Sequence, residues 1–144
     1  DVSQSASKKA ESDVQQFAQQ HDLLVGRWDK FHSDYDQWRR TEGACDRSKT
    51  LATLGQFASE FSAFTRRARE LPGGAILGPL RELMVEAAEL EEEGVRELRN
   101  SWRPFDIEVY KNFDSRRNFA ARHLRQVVAG LDDLLVQHSI EVPQ

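Results

Sequence analysis

Val14, Phe17, His21, Leu24, Trp28, Phe31, Tyr35 and Trp38 recur at alternating spacings of three and four residues. Such an unbroken heptad seam predicts one long amphipathic helix over about residues 5–41. Gly43 follows it as a candidate left-handed cap. A second seam, Leu54, Phe57, Phe61, Phe64, Ala68 and Leu71, predicts a helix over 46–71. Asp46 or Ser48 can cap its start, and Pro72, Gly73 and Gly74 end it. A third, Leu77, Met84, Ala88, Glu91, Val95, Leu98 and Trp102, predicts a helix over 76–102. A fourth, Val109, Phe113, Arg117, Ala120, Leu124, Val127, Leu131 and Leu134, predicts one over 104–140, with Pro104 in its first turn. No segment alternates with the period of two that a half-buried strand requires.

Short connections between long helices imply antiparallel neighbours. The predicted fold is therefore all-α: a single domain, a left-handed, antiparallel, up-down-up-down four-helix bundle with longer first and last helices. The seams agree in layers. Folding helix 2 on helix 1 with Leu71 opposite Val14 brings Phe64 to His21, Phe57 to Trp28 and Leu54 to Phe31. Folding helix 3 on helix 2 with Leu77 opposite Leu71 puts Met84 beside Phe64 and Glu91 beside Phe57. Folding helix 4 on helix 3 puts Glu91 beside Arg117, Met84 beside Leu124 and Val95 beside Phe113. One junction is open: no glycine helps the chain reverse at Trp102-Arg103-Pro104, so a kinked continuous helix exchanged between two copies is the alternative to a turn.

The outer helices, about 36 residues or roughly 54 Å each, outreach the inner pair at about 27 residues. Their excess lies at one end and would form a two-helix stalk. In helix lengths alone this resembles bacterial extracytoplasmic sensor bundles, which implies an expectation of membrane anchorage outside this fragment. The chain begins at Asp1 without an initiator Met, which fits a processed product or an excised piece. Lys8 and Lys9 would then meet anionic headgroups. Longer terminal helices that pair with a second copy, giving a homodimer, are the plainer explanation.

Composition narrows the function classes. A net charge of −4 argues against a nucleic-acid partner. The lone cysteine, Cys45, excludes an intrachain disulfide and reads as a spare surface thiol. No catalytic signature, phosphate loop or paired Glu-x-x-His is present, so a non-enzymatic module with no cofactor is expected. Asp29 to His32 has the Glu-x-x-His spacing without the glutamate or a facing copy. Glu91, Glu92 and Glu93 are consecutive and splay around their helix. His21 and His123 together lack a carboxylate ligand. His21 and Met84 share a layer and form a remote haem-ligand alternative.

Two places break the apolar rule or crowd it. Glu91 and Arg117 interrupt their seams beside Trp28, either as a register-fixing salt bridge or as a polar pocket for a small ligand. Aromatic residues crowd the far end and read first as core, because the seams demand large buried area there; the alternative is that Trp38, Trp102 and Phe105 beside Arg39, Arg40 and Arg103 form a protein-binding tip. Arginines concentrate on helices 2 and 4 (Arg66, Arg67, Arg69; Arg116, Arg117, Arg122, Arg125) and seven glutamates on helix 3, which pairs neighbours. The expected function is an extracytoplasmic, membrane-anchored module that senses a ligand or engages a protein. The alternative is a soluble scaffold that self-associates through its outer helices.

Overall fold

The computed structural model describes residues 2–41 and 46–138. Gly43, Cys45 and the last residues of the expected fourth helix lie outside them. The chain forms α1 (Val2–Thr41), α2 (Arg47–Arg69), α3 (Gly74–Ser101), a 3-10 turn (Ile107–Tyr110) and α4 (Lys111–Gln137), with no strand among the described residues. α1 packs on α2 and α4, and α3 packs on α2 and α4, so the four helices form the up-down-up-down all-α bundle.

Local chemistry sets most boundaries. Asp46 caps α2 by accepting from the Lys49 amide at 3.2 Å. The chain reverses through Gly74 at φ +89°, a conformation that only glycine adopts freely. α3 begins there, ahead of the expected Ile76, and carries Pro79 inside its early turns. The last helix differs most from expectation. Trp102 leaves α3 in an extended conformation, and Arg103 is held away from helix geometry by Pro104. Phe105 then takes φ +62°, the left-handed conformation that the missing glycine would have supplied. Asp106 accepts from the Glu108 amide at 3.0 Å and opens the 3-10 turn. The chain therefore turns, and α3 and α4 pack on each other within one copy. Because residues 104–110 are spent on this turn, α4 has 27 residues against 28 in α3 and 40 in α1. Among the described residues the length excess belongs to α1.

The core is a column of rings. Phe31 meets Phe61 edge-on at 4.4 Å and Phe57 at 5.0 Å. Trp28 stacks on Phe64 at 5.8 Å, and Tyr35 lies 4.7 Å from Phe113. These contacts correct the expected α1–α2 register: Phe64 sits on Trp28 instead of His21, and Phe57 sits among Phe31, Tyr35 and Trp38 instead of Trp28. α2 is thus slid by one heptad, about 10 Å. It is displaced in the same sense against α3, where Ser62 and Thr65 both donate to Glu92. A heptad slide maps seam onto seam, so matching seams alone could not detect it.

α3 approaches its neighbours closely, whereas α1 stands further off. The difference follows side-chain size, which sets interaxial distance. α3 buries Ala87, Ala88 and Gly94; α1 buries Phe17, Trp28, Phe31, Tyr35 and Trp38. At Gly94 a Cβ would stand 2.9 Å from the Phe113 ring.

Candidate functional site

Glu91 points inward from the middle of α3 and is completely buried. An isolated carboxylate there would be very costly, so its oxygens must be satisfied. Trp28 Nε1–H donates to Oε2, and His32 Nε2 lies 2.5 Å from Oε1. Both partners come from α1, one turn apart, so one helix face grips both oxygens. Burial pushes the Glu91 carboxyl above its ordinary range; the contacts with His32 and Trp28 and the charge of Arg117 pull the other way.

Arg117 does not make the expected contact. Its guanidinium reaches past Glu91's level to Asp36 and forms a two-pronged pair, Nη1 to Oδ1 at 2.7 Å and Nη2 to Oδ2 at 3.1 Å. That bond holds the Asp36 carboxyl below its ordinary range against the opposing effect of partial burial. The preference is geometric: the carboxylate of Asp36 is half open and accepts the planar fork in full, whereas both oxygens of Glu91 are taken. Of the three residues expected to line a ligand pocket, Trp28 and Glu91 bond directly, and Arg117 acts on Glu91 only through its charge.

His32 and Asp36 were not singled out as members of this site. The signal for them is present: His32 and Asp36 follow the seam residue Trp28 at intervals of four, a line that leaves the seam for its polar flank. Read alone, His32 looked like half of an incomplete metal motif. Among the described residues no group of three or more His, Cys, Asp or Glu could hold a metal ion. His21 and Met84 are both buried; His21 stacks on Phe17 and its Nδ1 lies 3.2 Å from Asp22. Phe64, expected in that layer, is on Trp28 instead.

The aromatic end resolves into a base and a tip. Trp38 and Trp102 are buried, as the core reading of the aromatic end expects and contrary to the alternative of an exposed tip. Trp102 Nε1–H donates to Tyr110 Oη at 3.1 Å across the α3–α4 turn. Arg39 lies 4.2 Å over the Tyr110 ring and holds both oxygens of Asp114 at 3.1 Å, so it is a structural clamp. Tyr35 is pushed up by burial, and its hydroxyl has no hydrogen-bond partner among the described residues. On this base stands a small apolar prong: Phe105 is 83% exposed and Ile107 73% exposed. Arg40 and Arg103 are exposed at the same end. Ile107 is not among the expected tip residues, because the fourth seam predicts helix from Pro104.

Both oxygens of Glu91 are thus bonded from within the bundle, by Trp28 and His32, while Arg117 pairs with Asp36. Large apolar side chains exposed among the described residues are Leu23, Ile76, Phe119, Val128 and Val136 along the helices, and Phe105 and Ile107 together at the turn. No protein-family model, no curated protein and no solved structure matches this chain.

Proposed function

We propose that this chain is a non-enzymatic helical-bundle module that engages a protein partner through the α3–α4 turn. One observation carries the reading: Phe105, a bulky residue, is held at φ +62° with its ring in solvent. The left-handed conformation costs a non-glycine residue about 1–2 kcal/mol. The side chain returns nothing to the core for that cost, and an outlier maintained in this way marks a functional position. Phe105 and Ile107 would fill an apolar pocket on the partner, with Arg40 and Arg103 near an acidic rim.

The reading extends to an extracytoplasmic, membrane-tethered module. α1 starts at the end of the bundle opposite the prong, so a tether there would hold the prong away from a membrane. None of the described helices is itself long and apolar enough to cross one. The self-associating scaffold needs an apolar face on the overhang of α1, and residues 3–13 offer only Ala6 and Ala10 among serines and charges.

A benzophenone amino acid at position 105, irradiated in cells that make the protein, is expected to give one discrete protein adduct. Excess unlabelled parent protein should compete it away, and the Ile107→Ser protein should not. A control probe at Val128, exposed on α4, should give none. No adduct from position 105, or the same adduct from both positions, would overturn the reading.

A further inference from the structure

The α2–α3 face carries a hollow of about 470 Å³ whose chemistry differs from that of the prong. Its α2 side is made of small residues, Gly55, Ala58, Ser59 and Ser62. Its α3 side is Arg96, Arg99 and Asn100, all exposed. Among the described residues no acidic side chain lines it.

Both arginines cross from α3 to α2, Arg99 toward the start of that helix and Arg96 toward its middle. Arg99 Nε donates to the Leu51 carbonyl at 3.1 Å. Gly55 lets it pass, since a Cβ there would stand 3.6 Å from that nitrogen. Arg96 Nη2 donates to Ser62 Oγ at 3.0 Å and to Glu92 Oε1 at 2.8 Å. A guanidinium tied by one edge is already oriented, and it keeps its other N–H groups for a ligand. Glu92, four residues before Arg96, offsets that charge in part. Arg99 has no such neighbour: Val95, Arg96, Trp102 and Arg103 hold the places three and four residues away. It has no ion pair among the described residues. Lower on the bundle α3 is neutralised across its grooves, Glu89 by Arg69 and Glu93 by Arg116.

The anchors, Leu51 and Ser62, are eleven residues apart on α2, about 16 Å of helix rise. The Leu51 carbonyl points along the helix toward Ser62, and the Ser62 side chain leans back toward Leu51, so the guanidinium groups stand closer than that. They frame the hollow at its two ends, with Ala58 and Ser59 between them. We propose that this hollow binds a small molecule with an oxyanion at each end, a short dicarboxylate. One carboxylate takes the open fork of Arg99, with the Asn100 amide beside it, and the other takes the free edge of Arg96. The connecting chain lies over Ala58. The surplus charge is modest because Glu92 stays on Arg96, which suits carboxylates better than phosphates. The site is independent of the prong.

NMR titration at constant ionic strength tests it, with succinate, glutarate and adipate as probes and butyrate and inorganic phosphate as controls. At least one dicarboxylate should shift the Arg96 and Arg99 Nε–H signals together and saturably. Butyrate and phosphate should bind about tenfold or more weakly. Arg99→Gln should reduce the dicarboxylate to the level of butyrate. Ser59→Leu, which fills the floor without changing charge, should abolish its binding, and Phe105→Asn should leave it unchanged. Arg99 and Ser59 are both exposed, so these variants should keep the parent's helical circular dichroism and cooperative unfolding. No saturable shift with any dicarboxylate, equal binding of butyrate or phosphate, or binding unchanged in folded Arg99→Gln protein would overturn the proposal.

Discussion

Phe61→Ala lowers the unfolding free energy of this protein by about 3–5 kcal/mol, the range for removing a fully enclosed aromatic ring. Phe61 has no exposed surface. Its ring meets Phe31 edge-on at 4.4 Å, Trp28 at 5.8 Å and Phe64 at 5.1 Å, so three oriented ring pairs are lost along with the buried area. The surrounding rings sit on two long helices and cannot collapse into the space without moving the α1–α2 interface. Such a loss is a large part of the roughly 5–15 kcal/mol that holds a domain together. Denaturant unfolding of the variant measures it. A change within about 0.5 kcal/mol, the range of ordinary surface substitutions, would mean that Phe61 is not in the column.

The second large effect concerns Glu91 and depends on pH. Burial raises its native-state pKa above the unfolded value, so the native state keeps this proton to higher pH than the unfolded chain does. Glu91's contribution is most favourable when the carboxyl is protonated. It declines as pH rises from the ordinary glutamate value of about 4.3 up through the raised native value. Glu91→Gln keeps the shape and removes that decline. Trp28→Phe removes the donor to Oε2 and leaves a buried carboxyl oxygen unpartnered. Its cost should be about 3–5 kcal/mol at a pH above the raised native value, where the carboxyl is ionised, and clearly smaller at pH 4, below the ordinary glutamate value. In the Glu91→Gln background the cost of Trp28→Phe should no longer change with pH. Chemical unfolding of the four proteins at the two pH values decides it. A Trp28→Phe cost that is equal at both pH values in the parent background would contradict the hydrogen bond.

The helices, their polarity and the bundle order were legible because the seams are long and the breakers at Pro72-Gly73-Gly74 are unambiguous. The α3–α4 register was legible too: Gly94 meets Phe113 and His123 reaches Glu86, in the predicted alignment. The register of α2 was not, since seam matching repeats every heptad and nothing in Phe57, Phe61 or Phe64 distinguishes one ring from the next. Glu91's burial beside Trp28 followed from the layers. Its true partner did not, because a seam pattern describes the a and d positions and His32 lies on the flank. Arg117 shows the same limit: a long side chain bonds where a carboxylate is open, here Asp36, and not to the residue nearest its backbone. The turn at Phe105 was illegible for a different reason. Left-handed backbone is read from glycine or asparagine, and this chain puts a phenylalanine there.

A binding prong at the α3–α4 turn requires that Phe105 and Ile107 are held out for a partner and are not needed by the fold. The direct test is the unfolding free energy of the Phe105→Asn, Ile107→Ser double variant. Asparagine tolerates positive φ, and both parent side chains are largely in solvent. The expected stability equals the parent's or exceeds it by up to about 1 kcal/mol. A loss of more than about 1 kcal/mol would show that the two side chains support the bundle, and would contradict the assignment of the turn as a binding prong.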